Sequence, residues 1–467
     1  MRWRQRSRWV VASSLALALG AAAAPAGAID LIDAWRAAQQ RDLDYAATRA
    51  AQQAGATHRD QALALWRPTV VLSGTAGVAG SDTSVSGARF SAPGFGTSSG
   101  VGFDTSVNHG ASGRWAVVAS LPLYNREREA QGRQLELSAD VADLEWEDAQ
   151  QTLMLTTSQR YLDVMVAQES LRVLRGQASA VDRALIETRD RFRLGDVPVT
   201  DTHEAAARAE ALRAQLLALD TDLQLKQAVL ADATGLQAAD TPLMRPSGEL
   251  APSEVQALDV WLADAALHSP KLRVQLAAVE IARQEAAKSN GALAPTVDLV
   301  AQVGRDRLSG NGDFGSASNA AGSRMVGVQL SVPLYTGGLR DARQRETQRT
   351  IEKVQAQADR ARQQVAQQTR AAWLGLTVGA GRVQALAQAL TASRSRLEAT
   401  RLGRQVGDRT TLDLLNAEND AANAELSLLT ARIELLMNRL RLAATAGRLD
   451  EAALRTANES LQTQSGR

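Results

Sequence analysis

The chain has no cysteine in 467 residues, 4% aromatic residues and only four histidines. Without cysteine there is no disulfide, no thiolate metal site and no lipid-bearing cysteine at a leader junction. His58, His109, His203 and His268 lie far apart, and none has the His-x-x-x-His spacing of a metal-binding helix. The glycine-rich stretch Gly80 to Gly113 has no following Gly-Lys-Ser/Thr and is no phosphate loop. An enzyme reading therefore finds no residues to carry it, and no metal or cofactor is implied. Beyond the N-terminus, no segment supplies the roughly 20 apolar residues that a membrane helix needs. If the exported chain enters a membrane, a β-barrel is the remaining route.

Residues 1–28 read as a signal peptide. Arg2, Arg4, Arg6 and Arg8 make a basic start, Val10 to Ala24 is apolar, and Ala26-Gly27-Ala28 is a small-residue cleavage site before Ile29. The alternative is an N-terminal anchor, which this short segment rich in Ala and Gly suits less well. Loss of four arginines takes the formal charge from +1 to about −3 and leaves no basic patch for nucleic acid.

In chain order, Leu31 to Leu65 is expected to be one helix, ended by Pro68. Val70, Leu72, Gly74, Ala76 and Val78 then alternate with Val71, Ser73, Thr75 and Gly77 as a strand. Gly80 to Gly113, with Phe90, Phe95 and Phe103, is expected to be a loop. A second strand with Trp115, Val117, Ala119, Leu121 and Leu123 on one face closes at Pro122-Leu123-Tyr124. From Arg126 to Leu194 there is no proline and no glycine cluster, so one helix of about 100 Å is expected. Asp201 to Thr234 runs back to Gly235, and residues 241–252, with Pro242, Pro246 and Pro252, read as a connector.

Residues 253–447 repeat the order of residues 29–240. A helix from Ser253 to Ser289 precedes Pro295. A strand carries Val297, Leu299, Ala301 and Val303, and Gly304 to Gly322 is expected to be a loop. A fourth strand carries Val326, Val328, Leu330, Val332 and Leu334 on one face and closes at Pro333-Leu334-Tyr335. Helices Leu339 to Leu402 and Thr411 to Ala446 follow, and 448–467 is expected to be a disordered polar tail. Shifted by 227, Pro295, Val297 and Leu299 fall on Pro68, Val70 and Leu72. Shifted by 212, Val383, Leu386, Leu390 and Leu397 fall on Leu171, Leu174, Ala178 and Leu185, a heptad-like spacing that points to coiled-coil packing. The two shorter helices around the first strand pair together match the length of the long one, so they can lie end to end beside it.

Each strand has roughly 10 residues, the span of a tilted membrane strand. A soluble sandwich would show the same alternation. Trp66, Tyr124 and Tyr335, all at helix-side strand ends, favour a membrane girdle. Four strands cannot close a barrel, since about eight is the smallest number, so the chain must oligomerise to insert.

Two hairpin tips complete the pattern. Arg191 to Asp201 places Gly195-Asp196 between long helices, and Gly403 to Asp413 places Gly407-Asp408 likewise. With Pro333-Leu334-Tyr335-Thr336-Gly337-Gly338 and the doubled strand–helix halves, the chain resembles the TolC-like outer-membrane channels of Gram-negative bacteria. The resemblance covers about Leu31 to Gly447. It implies an α+β membrane protein: a homotrimer with a 12-stranded barrel, four strands per chain, continued by a coiled-coil-like α-helical barrel through the periplasm. It further implies an outer-membrane exit duct working with a periplasmic adaptor and an inner-membrane transporter, in type I secretion or efflux. At the tip, Thr200 and Asp201 match the first-hairpin partners, Arg409 the gating arginine and Asp413 one ring aspartate. Asn416 replaces a second aspartate and Arg404 a tyrosine, so the latch must differ in detail. The same tip residues also read simply as helix caps and solvated charges. The missing cysteine disfavours the lipoprotein branch. The rival is a secreted trimeric coiled-coil adhesin or periplasmic scaffold, which would not account for two internal strand pairs.

Overall fold

The architecture, seen in a computed structural model, is described for residues 29–94, 96–236, 245–246, 256–313 and 315–462. The leader, most of the connector and Phe95 lie outside them.

Alanine-rich runs without internal breakers form the helices. The longest, α3 (Arg126–Arg193), has 68 residues and starts on Asn125, whose side chain accepts from the Arg128 amide at 3.0 Å. It turns into α4 (Val199–Thr234). In the second half α7 (Leu339–Gln405) turns into α8 (Thr411–Thr445).

The two shorter leading helices each differ from expectation by a break. Residues 31–64 form α1 (Leu31–Arg41) and α2 (Leu43–Ala64), because Asp42 leaves helical geometry at ψ 122° and caps α2 by accepting from the Tyr45 amide at 2.9 Å. Likewise α5 (Leu258–His268) and α6 (Pro270–Gly291) part at Ser269, since the proline ring drives the preceding residue out of the helical region. The return helices end at these breaks. Gly235, at φ 76°, closes α4 against Arg41, and Gly447, at φ 67°, follows α8 against the His268 carbonyl. A methyl group on Gly447 would lie 2.4 Å from that oxygen, so the junction has no room for a side chain. α1–α2 and α4 thus lie end to end along α3.

The strands are longer than expected, and the two expected loops are mostly strand. β1 (Thr69–Ala92) and β2 (Gly96–Tyr124) pair as one hairpin, and β4 (Thr296–Gly312) and β5 (Gly315–Ser331) as another. Backbone pairing continues past the apolar segment because a hairpin ladder needs amides and carbonyls rather than apolar side chains. Glycines supply the irregular positions: Gly87 (φ 74°) sits at a register shift, and Gly94 and Gly96 (φ 90° and 71°) make the turn. The four strands form one antiparallel sheet in the order β1-β2-β4-β5.

Its register aligns the expected apolar faces. Val70 lies opposite Ala119, Ala119 opposite Ala301 and Ala301 opposite Val326; Leu72, Val117 and Val303 form the next row, and Leu121, Leu299 and Val328 another. One face of the helix-proximal part therefore carries an apolar band across the four strands, bounded outward by Arg324, opposite Val303, and Arg305, opposite Trp115. Arg114 and Asp306, directly opposite on the other face, form a cross-strand ion pair at 2.5 Å. The outer strand ends beyond the band are rich in Ser, Gly and Thr.

The tail expected to be disordered is folded through Gln462. α9 (Glu451–Glu459) buries Leu454 and Ala457 against α1, and β6 (Leu461–Gln462) pairs with β3 (Arg245–Pro246). Leu454 and Ala457 share the buried face of α9, and Leu449 before the helix and Leu461 in β6 are buried beside them. They join Leu31, Trp35, Tyr161, Leu230 and Leu436 in the main core, where the Tyr161 hydroxyl donates to the Ile29 carbonyl at 2.8 Å. Asn458 donates to Asp30 at 3.2 Å and accepts from the Leu31 amide at 3.0 Å, clasping the start of α1. Because Leu454 is fully enclosed, Leu454→Ala is expected to lower stability by about 2–5 kcal/mol. Thermal unfolding followed by far-UV circular dichroism checks this.

Candidate functional site

At the end of the helical region far from the sheet, both hairpins turn by the same backbone device. Gly195 (φ 82°) donates to the Phe192 carbonyl at 3.0 Å and Asp196 to Arg191 at 2.9 Å. Gly407 (φ 85°) donates to Arg404 at 3.1 Å and Asp408 to Gly403 at 2.9 Å. These paired bonds satisfy the last helical carbonyls and demand a left-handed residue, which is why glycine stands at both sites.

The restarts after the turns differ. α4 begins on Pro198 with no side-chain cap, so Thr200 and Asp201 stand inside its first turn, and the Thr200 hydroxyl lies 3.3 Å from Asp201. α8 begins on Thr410 with a reciprocal capping box: the Asp413 amide donates to Thr410 Oγ1 at 3.1 Å, and Asp413 Oδ2 accepts from the Thr410 amide at 3.0 Å. The Thr410 hydroxyl is 2.8 Å from the same oxygen. These bonds, helped by the charges of Arg409 and Arg396, hold the Asp413 carboxyl below its ordinary value of 3.8.

Between the tips lies a cleft of about 1040 Å³ lined by Glu187, Asp201, Arg404, Arg409 and Asp408 among others. The structure brings Asp201 and Arg409 to this one cleft, but no hydrogen bond or ion pair joins them within the chain. Arg409 instead folds over Gly403, where a methyl group would approach its Cγ to 2.8 Å. Asn416 is half-buried on α8. The direct tie between hairpins is Arg404 to Glu187, an ion pair from α7 to α3. Glu187 escaped the sequence reading because nothing in one helix announces which residue of another will face it.

The tie is the last of a series along the seam between hairpins. Gln159 meets Arg441 at 3.1 Å, Arg172 meets Glu425 at 2.7 Å, and Gln177 meets Asn419 at 3.3 Å. Arg394 also meets Glu425, at 2.9 Å, so one carboxylate joins α3, α7 and α8. Arg172 further binds the buried Glu169 at 2.5 Å, and that contact first, with burial opposing it, raises the arginine's affinity for its proton. Beneath the tips Val181, Ala184, Leu185, Ala205, Ala209 and Leu415 pack together. The aromatics Trp66, Tyr124 and Tyr335 are exposed at the helix-side ends of the sheet, Tyr335 by 88%.

Comparison with known proteins bears on what such a molecule is. The family described as outer membrane efflux protein matches residues 35–236 and 261–448. The chain belongs to this family. Over 302 residues it is 26% identical to outer membrane protein TolC of Vibrio cholerae, covering 64% of this chain and 68% of that one. It is 29% identical over 283 residues to the proteases secretion protein PrtF of Dickeya chrysanthemi, covering 60% and 61%. The crystal structure of VceC from Vibrio cholerae superposes with a TM-score of 0.70 at 17% identity, covering 89% of this chain and 96% of that one. The Campylobacter jejuni CmeC outer membrane channel gives 0.72 at 13%, covering 94% and 90%. At these identities the structural likeness concerns the fold. Family members are outer-membrane channels for efflux and secretion, and this chain is accordingly an outer-membrane protein with its helical part in the periplasm.

Because the Thr410 bonds are what depress Asp413, Thr410→Ala is expected to return its titration towards 3.8, as read by carboxyl NMR. In the wild type, the lowered value makes the cap's contribution to folding complete above that pH, and acid removes it as the folded-state group protonates.

Proposed function

We propose that three copies assemble into a closed 12-stranded barrel continued by an α-helical tunnel, and that this trimer is the outer-membrane exit duct of a tripartite export machine. The observation that carries the reading is the sheet: four strands in register, one continuous apolar face, and edges β1 and β5 that lack a second partner among the described residues. Pairing β5 of one copy with β1 of the next satisfies both edges, and three copies give the strand count. The doubled order of helix pair, hairpin, long helix and return helix supports a wall of uniform height. Trp66, Tyr124 and Tyr335 then form the periplasmic interface girdle.

The tips close the tunnel. Arg404 to Glu187 holds the two hairpins of one copy together. Arg409 is free to reach Thr200 or Asp201 of a neighbouring copy, and three Asp413 side chains around the axis make a cation-attracting ring with Asn416 below. The Arg404–Glu187 pair is partly exposed and stabilises by only about 0.5–1 kcal/mol. Weak ties suit a gate that must open when a periplasmic adaptor and an inner-membrane transporter engage near Asp196 and Asp408. Passage through the duct is passive. The name of the relative PrtF, a proteases secretion protein, favours a secreted protein as cargo.

In planar bilayers, Glu187→Gln and Arg404→Ser are each expected to raise resting conductance, because the trimer loses three weak ion pairs of about 0.5–1 kcal/mol each. The exchange Glu187→Arg with Arg404→Glu should restore the closed state. Unchanged conductance in both single variants refutes the latch. Arg409→Ser should also open the channel, and a closed variant removes Arg409 from the gate. A purified mature protein that stays a water-soluble monomer and forms no pores would overturn the whole reading.

A further inference from the structure

The junction between sheet and helices carries unpaired charge that neither the barrel nor the gate uses. Three of its four chain crossings pair an aromatic with arginine: Trp66 is followed by Arg67, Tyr124 by Arg126, and Tyr335 by Arg340, Arg343 and Arg345. All five arginines are exposed, and none has an ion-pair partner among the described residues. The carboxylates of these stretches are Glu127, Asp341 and, next to Arg345, Glu346, so the five arginines still outnumber them. Glu129, one turn further along α3, is taken up by Arg133 at 2.6 Å.

The junction is held by contacts that do not use the side chains of those arginines. Arg128 reaches back from α3 to donate to the Leu65 carbonyl at 2.7 Å, tying the end of α2 to the start of α3. α6 ends at Gly291, where a methyl group would lie 2.9 Å from the Glu127 amide, so α6 packs directly on the same turn. On the other side, Gly337 and Gly338, at φ 63° and 82°, turn the chain from β5 into α7 and set Arg340 in the helix's first turn. The aromatics, Arg67 and Arg126 thus stand at the sheet–helix junction just beyond the apolar band, with Arg340 in the first turn of α7 and Arg343 and Arg345 in its second.

We propose that this junction is a binding collar for the phosphate groups of anionic phospholipid in the periplasmic-facing leaflet. The inference rests on the membrane reading above. Aromatic rings settle at the headgroup level, and guanidinium groups beside them meet phosphodiester oxygens with paired hydrogen bonds. Clustered basic residues at a membrane edge prefer anionic over zwitterionic lipid. The collar fixes the depth at which the barrel sits and stiffens the joint through which the helical tunnel hangs from the membrane.

The test uses the mature full chain in vesicles of phosphatidylcholine alone and with about 30 mol% phosphatidylglycerol. Pore formation should occur in both. The thermal midpoint should be about 5 °C higher with phosphatidylglycerol, as ligand linkage requires, and the difference should shrink in about 0.5 M salt. Arg67→Gln, Arg126→Gln, Arg340→Gln and Arg343→Gln combined should abolish the difference, whereas the four Lys replacements should keep most of it. Inorganic phosphate added to neutral vesicles should not reproduce it, which separates lipid from free anion. Pores with equal midpoints in both lipids overturn the collar alone. No pores in either vesicle overturns the membrane reading and the collar with it. Equal destabilisation of the Gln variant in both lipids would place the arginines at contacts between copies instead and also refute the proposal.

Discussion

Backbone amides cannot be left unpaired in hydrocarbon, and a four-stranded sheet with one apolar face has two rows of them, along β1 and β5. That constraint governs the rest of the molecule. In the assembly proposed above, copies share these edges, so everything attached to the sheet must tolerate neighbours on both sides. The helices follow suit. α7 leaves a long polar and partly apolar surface exposed in one chain, with Leu339, Leu374 and Val378 uncovered, where a soluble monomer would have buried them.

A second constraint concerns length. The long helix α3 has no single partner of equal length, and the chain meets this by placing α1–α2 and α4 end to end beside it. Glycine closes each joint, at Gly235 and Gly447, because the helix must stop in a left-handed turn directly against another helix end. The main core gathers there, with Tyr161 and Leu230 enclosed and α9 clasping α1. At the tips, by contrast, apolar packing is confined to a small cluster around Leu185 and Leu415, and charged ties do the joining. Apolar packing is therefore concentrated in the middle of the helical region and thin at the tips.

Much of this was legible in particular residues. Val70 to Val78 and Val326 to Leu330 announce their faces by alternation, and the register places those faces together. Gly195 and Gly407 announce the turns. Pro270 marked the break between α5 and α6 openly, yet the uniform alanine-rich background around it reads as one helix. Asp42 gave a weaker signal, since an aspartate mid-run caps a helix only if the chain bends there. The extended outer strands were hidden because Ser and Gly composition reads as loop, while hydrogen bonding to a partner strand makes it sheet. The tail is hidden for a similar reason: within a polar composition only Leu449, Leu454, Ala457 and Leu461 are buried, two of them on α9.

Sequence alone determined the long helices, the placing of two strand pairs between them, the glycine turns and the apolar faces, because these depend on local backbone preference and side-chain period. Only the tertiary structure decided that Arg404 meets Glu187 rather than Arg409 meeting Asp201 within one chain, that Asp413 is bound up in the cap of α8, and that α9 closes on α1. Such pairings depend on how separate helices are rotated and offset against one another, and a rotation of a few tens of degrees replaces one partner with another without changing any local pattern.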